Sequence, residues 1–290
     1  MSEPSAAGAA AAAHESPSVA REPPAVADVR PDLDATLVLV RHGESTWVAA
    51  GRVQGQQDAP LSTLGREQAG LVAARLAVPL ASPPLPVPSS RPAGVWHSPL
   101  SRAAETARAI AAGWTPRLDL TPDERLREIG QGEWEGLTGA EVRARYGDVQ
   151  RAWRRDPVGA QAPGGESLDE VALRATSFAE RLLDGLADAR RPGAGTTPSA
   201  TAPTLAPAGR GEPPWAMVVA HEGLLRVLLL SLLGLPLDAF WRFPFGLCGI
   251  SVIDVRSGRA VLRAHNLLEH LAPLGATALA DATADRGAGL

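Results

Sequence analysis

The 290-residue sequence has a single cysteine, Cys248. One thiol excludes an intramolecular disulfide, a C-x-x-C redox pair and a cysteine-rich metal centre, and it accords with a reducing, cytoplasmic setting. A basic stripe is also missing: 28 Lys+Arg face 32 Asp+Glu, for a net charge of −4. That balance argues against nucleic acid as a partner. Long apolar runs are lacking too. The strongest, Leu224 to Leu235, contains Arg226 and is too short to cross a bilayer, so it reads as a buried helix. The opening M-S-E-P-S has neither the basic start nor the leucine-rich core of a secretory signal. No membrane segment and no internal repeat are expected. The length suffices for a sizeable core.

Residues 1–34 are Ala-, Pro- and Ser-rich without periodicity, which predicts a disordered tail. Two inserts of similar character, 78–94 and 189–214, are expected as flexible surface loops, and the stretch from 275 as a weakly ordered tail. What remains, 35–274, reads as one domain. Leu37 to Val40 is an unbroken apolar run ended by Arg41-His42-Gly43, the pattern of a strand buried on both faces. Gly94-Val95-Trp96 and Trp215 to Ala220 read as further strands, and 249–255 with 259–265 as a hairpin or two strands.

Between them lie helical patterns. Ser62 caps a helix to Leu76, with Leu64, Leu71, Val72 and Leu76 on one face, and Ser98-Pro99 opens another through about Ala112. Thr138-x-x-Glu141 and Ser167-x-x-Glu170 are capping boxes, the second followed by a stripe of Leu168, Val171, Ala175, Phe178, Leu182 and Leu186. Strands alternating with helices predict an α/β three-layer sandwich, with a mostly parallel central sheet and helices on both faces.

In such a sheet the carboxyl ends of the strands share one edge, where ligands bind. Arg41-His42, Ser98 with nearby Arg102, and His221 all stand at strand ends. Arginine offers fixed paired donors that match phosphate oxygens, and a helix start after Ser98-Pro99 adds free N–H groups. Two arginines, two histidines and a helix N-terminus describe a phosphate pocket. Each piece alone has a plainer reading, a solvated strand end or an ordinary histidine. His221-Glu222 does not continue as a zinc-protease helix, because position 225 is Leu, and no residues cluster as metal ligands. Trp47, Trp134 and Trp153 are candidates for a substrate mouth or for packing. His97, His265 and His270 read as structural.

An ordered series of motifs carries a resemblance. It comprises R-H-G-E (41–44), G-R-V-Q-G (51–55), P-L-S-T-L-G (60–65), S-P-L-S-R-A-A-E-T-A (98–107), L-R-E-I-G-Q-G-E-W-E-G (126–136), P-G-G-E-S (163–167) and A-H-E-G-L-L-R (220–226). With the late A-H-N-L-L-E-H-L (264–271), the chain resembles the histidine phosphatase superfamily, or phosphoglycerate mutase-like family, on its phosphatase branch. The resemblance implies that His42 is a nucleophile forming a phosphohistidine, that Arg41, Arg102 and His221 hold phosphate oxygens, and that Glu128 is the general acid. Glu133 and Glu135 are competitors for that last role. It implies neither cofactor nor metal, and a small phosphate monoester as substrate. One departure stands out: where the family often has an amide-bearing Asn, this chain has Val48, with Gln54 as the candidate substitute donor.

Within the family, mutases carry long basic segments before the G-E-S motif. Here that segment holds Arg143, Arg145, Arg151, Arg154 and Arg155 but is short, and it reads as a polar helix with a solvated face. A phosphatase is therefore the favoured expectation. Mutase-type transfer, or a catalytically weak phospho-ligand-binding protein on the same fold, are the alternatives. No motif specifies an oligomeric state.

Overall fold

The computed structural model describes residues 33–189 and 211–275. The expectations for most of the N-terminal tail, most of the 189–214 insert and the tail after 275 lie outside the described residues. Strand β1 (Ala35–Arg41) is buried along its first six residues. Its side chains alternate between two cores, Leu37 and Leu39 to one and Val38 and Val40 to the other. That is why the strand shows no polar alternation. Along the chain follow α1 (Thr46–Ala49), α2 (Thr63–Ala77), β2 (Val95–His97), α3 (Ser101–Ala112) and β3 (Leu120–Pro122). Then come α4 (Gly139–Arg155), α5 (Leu168–Ala189), β4 (Trp215–Ala220), α6 (Glu222–Leu233), β5 (Ile250–Arg256) and β6 (Arg259–Leu267).

The six strands form one sheet in the order β3-β2-β4-β1-β5-β6. β3, β2, β4 and β1 pair in parallel, while β5 runs antiparallel to β1 and β6 returns antiparallel to β5. Helices α2 and α3 pack on the Val38/Val40 face, and α5 and α6 on the Leu37/Leu39 face with Val142 and Trp153 of α4. The α/β sandwich with a mostly parallel sheet and helices on both faces is thus observed. Both capping boxes form: Thr138 Oγ1 accepts from Glu141 N–H and Ser167 Oγ from Glu170 N–H. The whole predicted stripe of α5 is buried. The β5–β6 turn passes through Ser257 and Gly258 at φ 48° and 76°.

Two details differ from the sequence reading. β3 was not foreseen, because three residues ending in proline carry little strand signal; Pro122 is tolerated at the sheet edge, where a missing N–H breaks no ladder. On α2 the buried face is Gly65, Gln68, Ala69, Val72, Ala73 and Leu76, while Leu64 and Leu71 are only half-buried. The helix is turned by polar demand: Gln68 Oε1 accepts the Glu44 N–H at 2.8 Å. Insert 78–94 contains no helix or strand as far as β2's approach. Arg75 ties it down by donating to the carbonyls of Val78, Pro79 and Pro83.

The turn after β1 is pressed against the start of α2. A Cβ on Gly43 would meet the Gly65 carbonyl oxygen at 2.5 Å, and one on Gly65 would strike the backbone oxygen of Glu44. Both neighbours are main chain and cannot rotate away. Gly65→Ala is therefore expected to cost about 1–3 kcal/mol through overpacking. Because the strain falls on the Arg41–Glu44 turn, the ligand affinity of this edge should fall as well. Thermal melts and calorimetric phosphate binding check both effects.

Candidate active site

Register brings the three strand ends side by side. Arg41 pairs with Ala220 across β1 and β4, and His97 with Val219 across β2 and β4. The ladder continues one residue further, with His42 N–H donating to Ala220 O at 3.0 Å and Ser98 N–H to Val219 O at 3.0 Å. His42, His221 and Ser98 thus stand in a row, and the two imidazole centroids lie 5.0 Å apart. Ser98 Oγ is 2.8 Å from His221 Nε2.

Both imidazoles are buried. His42 Nδ1 lies 2.7 Å from Gly43 O. A carbonyl only accepts, so Nδ1 carries the proton and Nε2 keeps its lone pair. Burial holds the His42 pKa well below the ordinary histidine value, and the positive charges of Arg102 and Arg41 push it the same way. Burial, the largest influence, also lowers His221, with Arg102, His42, Arg174 and Arg41 acting in the same direction. Its Nδ1 is buried without a partner. The site therefore holds two neutral imidazoles, each with one ring nitrogen already engaged.

Around them stand two guanidinium groups. Arg102, on the first turn of α3, is wholly buried and donates through Nη1 to Gln57 O (3.1 Å) and through Nη2 to Gly55 O (2.8 Å). Among the described residues no carboxylate pairs with it directly, and burial brings its pKa down to about 10 against the pull of Glu128, Asp58 and Glu135. Arg41 Nη1 donates to Phe245 O (2.6 Å) and meets Glu222 Oε2 (2.5 Å). The Nε of each arginine is buried without a partner.

Glu128 closes the group. Its Oε1 accepts from Ile129 N–H (2.9 Å) and Leu224 N–H (3.0 Å), and its Oε2 from Gly223 N–H (3.3 Å). The carboxyl thus sits on the N-terminus of α6, and Gly223 is required there because a Cβ would come within 2.8 Å of Oε1. Burial raises the Glu128 pKa, opposed by these N–H groups and by Arg102. The sequence-predicted residues Arg41, His42, Arg102, Glu128 and His221 are therefore one buried cluster. Gln54 lies at its border: Oε1 accepts from Ser45 Oγ (2.6 Å), and the carbonyl of the next residue, Gly55, accepts from Arg102.

Comparison with known proteins agrees with this geometry. Residues 37–190 and 201–268 match the histidine phosphatase superfamily (branch 1). The chain belongs to that superfamily. Phosphoserine phosphatase 1 of Hydrogenobacter thermophilus is 32% identical over 235 residues, 81% of this chain and 93% of that protein. A glucosyl-3-phosphoglycerate phosphatase of Mycolicibacterium vanbaalenii is 36% identical over 202 residues, 70% of this chain and 76% of that protein. The solved structure of a mycobacterial glucosyl-3-phosphoglycerate phosphatase in complex with VO3 superposes with a TM-score of 0.62 at 29% identity, covering 80% of this chain and 99% of that one.

As a histidine phosphatase superfamily member, the chain carries contacts that its motifs did not disclose. Glu133 and Glu135 are engaged by other partners. Glu133 accepts from the Tyr146 hydroxyl at 2.8 Å, while Glu135 takes N–H groups of Gln56, Gln57 and Gln131 and so braces the loop that holds Arg102. Arg174 donates to the carbonyls of Arg125, Arg127 and Glu128 and pairs with Glu166, tying the Glu128 loop to the G-E-S motif. Its position at the eighth residue after Glu166 was the available signal. Trp134 and Trp153 do not border a mouth; they are buried and meet edge to face at 6.1 Å. Val48 is packed in the Val38/Val40 core, its N–H donated to Ser45 Oγ. His97 donates Nδ1–H to Ser98 O and His265 contacts Ser251 Oγ, outside the cluster. Among the described residues no group of three or more His, Cys, Asp or Glu is placed to hold a metal ion, and no helix is long and apolar enough to cross a membrane.

Two buried neutral histidines make stability depend on pH. Their native pKa values are lowered, so below the unfolded value near 6.5 the unfolded chain binds more protons. Stability should then fall as the pH drops through 6.5, by up to about 1.4 kcal/mol per pH unit for each histidine. Denaturant melts between pH 7 and 5 measure the slope, which should flatten in His42→Asn.

Proposed function

We propose that this chain is a metal-independent phosphomonoesterase that hydrolyses a small phosphorylated metabolite through a phosphohistidine. The observation that carries the reading is the His42 imidazole. It is neutral, is oriented by its Nδ1–H on Gly43, and presents a free Nε2 beside one buried and one partly buried guanidinium group, each with an unpartnered Nε donor. Nε2 attacks phosphorus while the ester P–O bond breaks, and Glu128 delivers its proton to the departing oxygen. Water then attacks the phosphohistidine, the N–P bond breaks, and the proton from water returns to Glu128. Arg41, Arg102 and His221 hold the non-bridging oxygens, and Gln54 stands as the further donor at the border. Phosphoryl transfer depends mostly on positioning and electrostatics, which this cluster supplies.

The raised pKa of Glu128 suits the role, because a carboxyl that keeps its proton towards neutral pH can give it up during bond breaking. Its seat on the α6 N-terminus suits the second half, since N–H groups stabilise the carboxylate that must accept a proton. The named phosphatase relatives act, by their names, on phosphoserine and glucosyl-3-phosphoglycerate, which supports a small phosphorylated metabolite here. Arg143, Arg145, Arg151, Arg154 and Arg155 all lie on the exposed side of helix α4, in a segment too short for the long basic stretch of a mutase, which favours hydrolysis over mutase transfer. The single buried free cysteine is in keeping with a cytoplasmic place of work.

Hydrolysis of an aryl phosphate in the presence of chelator tests the reading. Turnover should persist without metal, vanish in His42→Ala, and pass through an acid-labile phosphoenzyme trapped by rapid quench. Binding without turnover would mean a phospho-ligand-binding protein, and turnover of 3-phosphoglycerate only with catalytic bisphosphate would mean a mutase. In Glu128→Gln, kcat should drop by about 10²–10⁴-fold with an alkyl phosphate and by less with an aryl phosphate, whose leaving group needs less protonation. For the wild type, kcat/KM should decline as the pH rises through the raised Glu128 pKa, and this alkaline limb should be absent from Glu128→Gln.

A further inference from the structure

Glu222 opens α6 directly after His221, and the proposed reaction gives it nothing to do. Its surroundings are specific. Oε2 lies 2.5 Å from Arg41 Nη1, and Oε1 accepts from Arg226 Nη2 at 2.5 Å. One carboxylate is thus shared by a buried guanidinium, Arg226, and a partly buried one, Arg41. With both oxygens taken, Glu222 presents none to a departing group and does not compete with Glu128.

Arg226 is the fixed end of this chain of charges. It is four residues along the same helix, and its side chain is 1% exposed. Its guanidinium carbon stands 5.2 Å from the Phe240 ring centroid and 5.1 Å from that of Trp241, and Nε donates to Phe243 O at 3.2 Å. A cation held by two rings and a main-chain carbonyl does not swing with the solvent. Arg41, by contrast, ends the strand at the rim of the cluster. Its Nη1 is committed to Glu222 and Phe245 O, whereas Nε is buried without a partner. The Nε–H and one Nη2–H of a guanidinium point the same way and match two oxygens of one phosphoryl group.

We propose that Glu222 is a positioning residue for Arg41. By fastening Nη1 to Arg226 it turns the Nε/Nη2 edge towards the site of the transferred phosphoryl group. This rests on the phosphoryl-transfer reading above for the identity of the anion. A substitution that keeps the shape should still break the device. Glutamine offers one acceptor oxygen where the carboxylate offers two, so it can hold one guanidinium and not both.

A double-mutant cycle decides the matter. Aryl phosphate hydrolysis and calorimetric vanadate binding are measured for the wild type, Glu222→Gln, Arg41→Ala and the double variant, with thermal melts alongside. We expect Glu222→Gln to lower kcat/KM and vanadate affinity about 10–100-fold, and to change either by less than about threefold once Arg41 is alanine. Equal losses in both backgrounds, or no loss in the wild-type background, would overturn the proposal. If Glu222→Gln does not fold, Arg226→Met decides instead, since it removes the anchor together with its buried charge. The same loss confined to the Arg41 background supports the proposal, and an unaltered enzyme overturns it. Coupled vanadate binding in a chain without turnover would retain this inference and reject the phosphatase, whereas turnover with uncoupled losses would do the reverse.

Discussion

An excess of buried positive charge around two neutral imidazoles is the constraint on which this structure turns. Arg41 and Arg226 share one carboxylate, and among the described residues Arg102 donates to two carbonyl oxygens and pairs with no carboxylate. Burying a guanidinium without a direct counter-ion costs free energy, visible in the lowered pKa of Arg102. Main-chain carbonyls take several of the donors, while the Nε groups of Arg41 and Arg102 are left without a protein partner. The dianionic phosphoryl group of the proposed reaction matches such a cluster in charge and in donor geometry.

The fold supplies what the charges need. Parallel strands place their carboxyl ends at one edge, so residues from positions 41, 98 and 221 stand within a few residues' width. Helix α6 starts at that edge, and its free N–H groups hold Glu128. The same burial that lowers both histidines raises this carboxyl, so the two groups are shifted in the directions that a neutral nucleophile and a proton donor need. The positions that hold these groups have little freedom: Gly65 for the turn after β1, Gly223 for the Glu128 carboxyl, Arg174 and Glu166 for its loop.

Local chemistry accounts for what the sequence predicted well. The strand β1, the limits of β4 and both capping boxes follow from apolar runs and from residues spaced to bond their own neighbours. The α2 face was misjudged because a buried glutamine answering the Glu44 N–H outranked two leucines. The tryptophans of the E-W-E-G turn and α4 went into packing, since their area is best removed from water against each other and Phe240.

By itself the sequence determined the family and most of the elements, and it nominated the five residues Arg41, His42, Arg102, Glu128 and His221, because each sits in a short motif at a strand end or turn. Only tertiary structure decided the state and aim of those residues. The His42 tautomer depends on a carbonyl position, the raised Glu128 pKa on burial against a helix that begins 94 residues later at Glu222, and the Arg41 orientation on Glu222 and on Phe245, 204 residues away. Electrostatics acts through space and through desolvation, and neither is a function of position along the chain.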